Sequence, residues 1–151
     1  MTSRRIREAD HAELVSIVSL YNLMWVGSKN PVDMKMAEKY FAGVKRRADH
    51  FMYVIEEDGR LVGTFLLMIR ETPGKDSPDG VLENVAVHPR FQRKGIGTEM
   101  VDFAIEKCRL AGCARLIQPT NDKREEATPF FESKGFSREG YNLVYELTNE
   151  S

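Results

Sequence analysis

Apolar residues recur along this chain at two spacings, and the spacing changes from segment to segment. Leu14, Ile17, Val18, Tyr21 and the pair Met24-Trp25 fall on one face at three- and four-residue intervals, which predicts an amphipathic helix. Asp10 can cap it, with Glu13 three residues on as a capping-box partner. Gly27 to Pro31 breaks the pattern. Pro31 then opens a second helical segment through Met36, Tyr40 and Val44, whose basic tail Lys45-Arg46-Arg47 suits a helix C-terminus. Residues 51–56 and 61–69 are rich in β-branched and aromatic side chains and read as strands. Glu57-Asp58-Gly59-Arg60 joins them as a hairpin turn. A short first strand precedes the first helix at Arg4-Arg5-Ile6-Arg7.

Residues 71–80 form a polar loop with two prolines and two glycines. A fourth strand follows at 81–87, and the longest helix at 98–110 ends at Gly112. Residues 115–118 read as a fifth strand, 125–134 as a helix and 136–147 as a final strand region. The order β-α-α-β-β-β-α-β-α-β predicts an α/β protein with a mixed sheet between helices. Neither repeat nor linker interrupts it, so residues 1–151 read as one domain.

Composition narrows the function. The chain is 42% hydrophobic and 30% charged, ordinary values for a soluble globular protein. Its net charge of -1 provides no general field for nucleic acid or an anionic membrane. No apolar run approaches the roughly 20 residues that a membrane helix needs. The basic N-terminus lacks the apolar core of a signal peptide. Cys108 and Cys113 are too few and wrongly spaced for a metal site or redox pair, and cytoplasmic localisation is the default.

The candidate chemistry begins at Gln92-Arg93-Lys94-Gly95-Ile96-Gly97-Thr98, between the fourth strand and the long helix. Two glycines let the backbone approach a ligand closely. The first amides of the helix have no intrahelical partner and lie at the positive end of its dipole. Arg93 and Lys94 add two cations, and the sum suits a phosphate or pyrophosphate. The spacing is not that of a P-loop. The third glycine of the dinucleotide fingerprint is also absent, since Gly97 runs on to Thr98-Glu99-Met100.

The segment Val85-Ala86-Val87-His88-Pro89-Arg90-Phe91-Gln92-Arg93-Lys94-Gly95-Ile96-Gly97 resembles the cofactor signature of the GCN5-related N-acetyltransferases. A second segment, Ala127-Thr128-Pro129-Phe130-Phe131-Glu132-Ser133-Lys134-Gly135-Phe136, resembles that family's later helix motif. The two occur in the family's order and at its spacing, and the likeness runs from Ile6 to the last strand. It implies a central mixed sheet of about six to seven strands flanked by about four helices. It also implies acetyl-coenzyme A as cofactor, a primary amine as acceptor and a homodimer.

By the same resemblance, backbone groups of Val85, Ala86 and Val87 pair with the pantetheine arm, and one amide donates to the thioester oxygen. Gln92 through Thr98 hold the pyrophosphate, with Gln92, Arg93, Lys94, Gly95, Ile96, Gly97 and Thr98 as the contacting residues. Asn121, Lys123 and Arg124 follow the fifth strand where the family places polar or basic cofactor contacts. The segment 120–124 resembles small-molecule members. Glu83 is the candidate general base: it stands two residues before Val85 on an apolar strand, and the family often carries an acidic residue there. A solvated surface glutamate is the alternative. His88 sits at the strand exit, where histidine is common.

The family departs from this chain at one place. Its second aromatic of the late motif is usually a tyrosine that can protonate the leaving thiolate. Here it is Phe131, which has no hydroxyl. Tyr141 or Tyr145 could take that role, or Phe131 packs on cofactor or core. Three functions are therefore open: an acetyltransferase for a small amine, one for a protein amine, and an acyl-coenzyme A-binding module with little turnover.

Overall fold

Five of the apolar runs pair into one sheet, β1 (Arg4–Glu8), β2 (His50–Glu57), β3 (Arg60–Arg70), β4 (Asp79–Val87) and β5 (Arg115–Ile117). They lie in sequence order; β1 to β4 are antiparallel neighbours and β5 is parallel to β4. The helices are α1 (Leu14–Met24), α2 (Met34–Lys45), α3 (Ile96–Leu110) and α4 (Ala127–Ser133). The computed structural model describes residues 3–24, 31–119, 127–140 and 142–148. Expectations placed on Trp25, Gly27, Asn121, Lys123, Arg124 and Tyr141 lie outside the described residues. The chain groups into two compact units, Met1–Pro119 and Thr120–Ser151.

In the first unit, alternation along the strands assigns each helix a face. Met52, Val54, Leu66 and Ala86 pack with Leu14, Ile17 and Leu20 of α1 and Phe41 and Val44 of α2. Their strand neighbours point the other way. Tyr53 stacks on Phe65 across the β2–β3 pair at 5.2 Å, and Phe103 of α3 meets both rings edge-on at 4.9 and 6.2 Å. The sheet therefore has α1 and α2 on one face and α3 on the other. Val54, Ile55, Phe65 and Leu82 are wholly buried between these layers.

Local signals explain where the elements begin and end. The β2–β3 turn places Asp58 and Gly59 at φ 49° and 83°, the two left-handed positions of a tight hairpin. The Glu13 carboxylate accepts the Asp10 amide at 2.8 Å, but residues His11–Glu13 make a 3-10 turn, so α1 itself starts only at Leu14. The second helix starts at Met34 rather than Pro31. The Asp33 side chain accepts the Met36 amide at 2.8 Å and so sets the first turn. Gly112, at φ 77°, ends α3 where Cys113 N–H returns to Cys108 O at 2.8 Å.

Gly80 is required for packing rather than for its backbone angle. A Cβ there would collide with Cys108 Sγ of α3 and press on Leu116 Cδ1 at 3.3 Å. Gly80→Ala is expected to lower stability by about 1–3 kcal/mol through overpacking. Cys108→Ala in the same chain should recover most of the loss. Thermal melts of the single and double variants test this, and equal melting temperatures for Gly80→Ala and wild type would contradict it.

In the second unit, α4 carries Phe131, which is buried and meets Phe130 and Phe136 edge-on at 5.2 and 5.3 Å. The strand expected at 136–147 is absent among the described residues. Leu143, Val144, Tyr145 and Leu147 are each at least 76% exposed there. Their β-forming composition finds no ladder partner among the described residues, and a strand exists only as one of a pair. The sheet therefore has five described strands instead of six or seven.

Candidate active site

β4 is the strand on which the site is built, and its ladder to β3 contains a bulge. Leu66 pairs with Glu83 and Thr64 with Ala86, so Asn84 and Val85 together oppose Phe65. Asn84 takes the left-handed backbone conformation at φ 52°, which asparagine tolerates better than most residues. Strict alternation would put Glu83 and Val85, two residues apart, on one sheet face, and the extra residue corrects that expectation. Thr64 and Leu66 lie on one face of β3, so their partners Ala86 and Glu83 share it. That is the face covered by α1 and α2.

Both helices are tied to this bulge. Tyr21 of α1 donates its hydroxyl to the Asn84 carbonyl at 3.2 Å. The Asn84 side-chain amide donates to the Tyr40 hydroxyl of α2 at 2.8 Å. Burial pushes the Tyr40 phenol up; the Asn84 hydrogen bond pulls it partly back, and the nearby Glu83 charge adds to the rise. Burial likewise raises Tyr21, with Tyr40 contributing. Both phenols are therefore proton donors at neutral pH. Tyr40, read from sequence as part of a helix face, sits beside Glu83 with its oxygen held and its proton unspent in that bond.

Beyond the bulge, one side of β4 has no strand partner among the described residues. Its pairing with β5 covers only Asp79, Gly80 and Val81. His88 N–H bonds Val62 O at 2.8 Å, which makes Val87 and Gly63 a non-hydrogen-bonded pair. The N–H and C=O of Val87 therefore point away from β3. Gln92 Nε2 donates to that carbonyl at 3.2 Å and also reaches Met24 Sδ at 3.4 Å. The Gln92 side chain thus closes the turn back onto the strand. His88 is used locally: its Nδ1 accepts the Arg90 amide at 3.1 Å and its ring meets Phe91 edge-on at 5.5 Å.

The turn itself folds as an anion cradle. Arg93 and Gly95 both lie in the left-handed region, at φ 62° and 83°. Backbone amides around such positions converge on one point. Gly95 is the N-cap of α3, and the Glu99 amide bonds its carbonyl at 3.0 Å. The amides of Ile96, Gly97 and Thr98 precede that first intrahelical bond and stay available. Gly97 has helical backbone, so its value is the missing side chain and not a special φ. Arg90, Arg93 and Lys94 are exposed around the turn, Lys94 Nζ standing 5.4 Å above the Phe91 ring.

The structure thus brings Glu83, Val85, Ala86, Val87 and Gln92 through Thr98 onto one strand–turn–helix. Phe131 belongs to the second unit, and Asn121 and Arg124 lie outside the described residues. One residue was missed in sequence: Asn84, whose signal is a lone asparagine in an apolar strand, a mark of a left-handed bulge position. Tyr40 was expected over an acceptor pocket with Trp25 and the 71–80 loop, and its bond to Asn84 depends on α2 lying over β4. Among the described residues no group of His, Cys, Asp and Glu could hold a metal ion, and no helix is long and apolar enough to cross a membrane.

Known proteins are similar to this chain in sequence and fold. The glucosamine 6-phosphate N-acetyltransferase of Arabidopsis thaliana is 31% identical over 98 residues, 63% of this chain and 64% of that protein. Its counterpart from Trypanosoma brucei brucei is 33% identical over 99 residues, 63% of this chain and 65% of that protein. The match therefore spans a little under two thirds of the length of those relatives. The crystal structure of a transcriptional regulator from Bacillus halodurans C-125 superposes with a TM-score of 0.84 at 25% identity, over 95% of this chain and 100% of that one. The sequence profile of the Acetyltransferase (GNAT) family matches residues 14–136, from the first residue of α1 through both motifs, and the chain belongs to that family.

Proposed function

We propose that this chain transfers the acetyl group of acetyl-coenzyme A to a primary amine of a small molecule. The observation that carries the reading is the left-handed turn at Arg93 and Gly95, opening a 15-residue helix beside the side of β4 that no described strand pairs. A pyrophosphate fits the amides of Ile96, Gly97 and Thr98 with Arg93 and Lys94 around it. The outward amide of Val87, whose carbonyl is held by Gln92, suits an extended pantetheine arm, as an added strand would. Phe131 has no place in this account beyond its aromatic cluster.

The reaction needs a neutral amine. Glu83, on the α1–α2 face beside Tyr40, takes the proton directly or through a water. The amine nitrogen then bonds the thioester carbon, and a backbone amide of the bulged strand stabilises the oxyanion. The carbon–sulfur bond breaks, and coenzyme A leaves as a thiolate that takes up one proton. A free thiol has a pKa near roughly 8.5, so this leaving group does not require the tyrosine that Phe131 replaces. A small acceptor is favoured because the two plant and trypanosome relatives are named for acetylating an amino-sugar phosphate.

Tyr40 defines the acceptor side. Its oxygen accepts from Asn84, and its own proton can bond an oxygen on the substrate. Tyr40→Phe is expected to raise the acceptor's KM about tenfold, the order of one lost hydrogen bond. Acetyl-coenzyme A affinity should stay constant. A change confined to the cofactor would contradict this placement.

The first experiment is calorimetric titration with acetyl-coenzyme A, followed by thiol release from the same sample with a panel of amino sugars, polyamines and lysine peptides. Binding with release on a small amine supports the proposal. Release only on peptides replaces the acceptor class. Binding without release on any amine makes the chain an acyl-coenzyme A-binding module, and no binding overturns the reading.

A further inference from the structure

One charged cluster touches the proposed cofactor turn from outside it. Arg4, on β1, lies opposite Glu57 of β2 in the strand register. Its side chain is only 14% exposed and reaches the start of α3. Nη2 and Nε bond Glu57 Oε1 at 2.7 and 3.2 Å. Nη1 bonds Glu99 Oε1 at 2.8 Å, and Nη2 reaches the Lys94 carbonyl at 3.4 Å. A single guanidinium thus joins the edge of the sheet, the carbonyl of the turn and the fourth residue of α3.

Glu99 makes this arrangement consequential. A carboxylate within the first turn of a helix competes with an anionic ligand for the same positive end. At roughly one helical turn from the amides, its charge is felt by a pyrophosphate at ordinary ionic strength, where screening acts over about 8 Å. Arg4 cancels that charge while its hydrogen bond to Lys94 O holds the turn's backbone. Neither Arg93 nor Lys94 is paired with Glu99 in this way among the described residues.

We propose that Arg4 is a positioning residue for acetyl-coenzyme A: it neutralises Glu99 and braces the 92–95 turn so that the helix N-terminus can accept the pyrophosphate. The inference rests on the proposed function, because it needs that turn to bind the cofactor's phosphates. It concerns affinity for the nucleotide end and not the acetyl-transfer step. The effect is therefore expected in the KM for acetyl-coenzyme A, with kcat at saturation unchanged.

The test removes the guanidinium without stranding the buried Glu57 carboxylate. Arg4→Met is made together with Glu57→Gln, and Glu99→Gln is then added to that double variant. The double variant should bind acetyl-coenzyme A about tenfold more weakly than wild type at low salt, with the deficit shrinking as salt is added. The triple variant should return to within about threefold of wild type. S-Acetylpantetheine, which lacks the pyrophosphate, should have the same KM in all three. Unchanged binding in the double variant, no recovery in the triple, or an equal loss with S-acetylpantetheine would overturn the inference. Should the double variant fail to fold, Glu99→Gln alone, at an exposed position, decides. It should tighten acetyl-coenzyme A binding about threefold, and unchanged or weaker binding overturns the proposal. Failure of the wild-type chain to bind acetyl-coenzyme A would overturn the proposed function and this inference together; wild-type binding with an unaffected double variant overturns this inference alone.

Discussion

Gly97→Trp is expected to weaken acetyl-coenzyme A binding by about 100-fold or more. Gly97 is the second residue of α3, and its amide lies between those of Ile96 and Thr98 at the helix N-terminus. An indole there fills the space through which a phosphate must approach. Hydrogen bonds to a charged group contribute about 1.5–3 kcal/mol each, so losing two of them accounts for that factor or more. The fold should survive, because Gly97 has helical φ and glycine is the weaker helix former. Calorimetry beside a thermal melt separates the two effects. Unaltered affinity in a folded variant would remove the phosphate site from this turn. Gly97→Ala is the companion variant, and its far smaller side chain should cost much less.

Glu83→Gln should lower the rate at pH 7 by roughly 10²- to 10⁴-fold, the usual worth of a general base. The pH dependence carries the argument. An amine of pKa near roughly 10.4 is neutral in about one molecule in 2,500 at pH 7, and each added pH unit raises that fraction about tenfold until the pKa is reached. A variant without the base depends on amine already deprotonated in solution. Its rate should therefore climb toward the wild-type value as pH rises, while acetyl-coenzyme A affinity stays constant. The measurement is kcat/KM for the amine from pH 6 to 10 in both proteins. A profile of the same shape, merely scaled down, would show that Glu83 does not accept the proton.

These two variants probe the two halves of the site, and the halves were unequally visible in the sequence. The cofactor half is local. A glycine with positive φ, the free amides of a helix start and two adjacent cations all come from seven consecutive residues, so their order along the chain is enough to propose an anion site. The structure adds the second left-handed position at Arg93, where nothing in the residue type demands it. It also shows the Gln92 side chain bonding the strand instead of pointing outward. The acceptor half is not local. Tyr40 lies 44 positions from Asn84, and they meet only because α2 packs over β4.

The same division holds for the fold. Periodicity and turn chemistry determined the existence, type and order of nine elements up to α4, since amphipathic spacing, Asp58-Gly59, the Asp33 cap and Gly112 act over a few residues. The sequence also determined the family, through two ordered motifs. Only the tertiary structure decided which strand face carries Glu83. One extra residue at Asn84 shifts the alternation, and that residue is recognised as extra only by counting it against β3. Only the tertiary structure placed Arg4 on Glu99, 95 positions away. The described residues of 136–147 show the limit from the other side: an apolar, β-forming run is a strand only where another strand takes its backbone hydrogen bonds, and no local pattern can specify that partner.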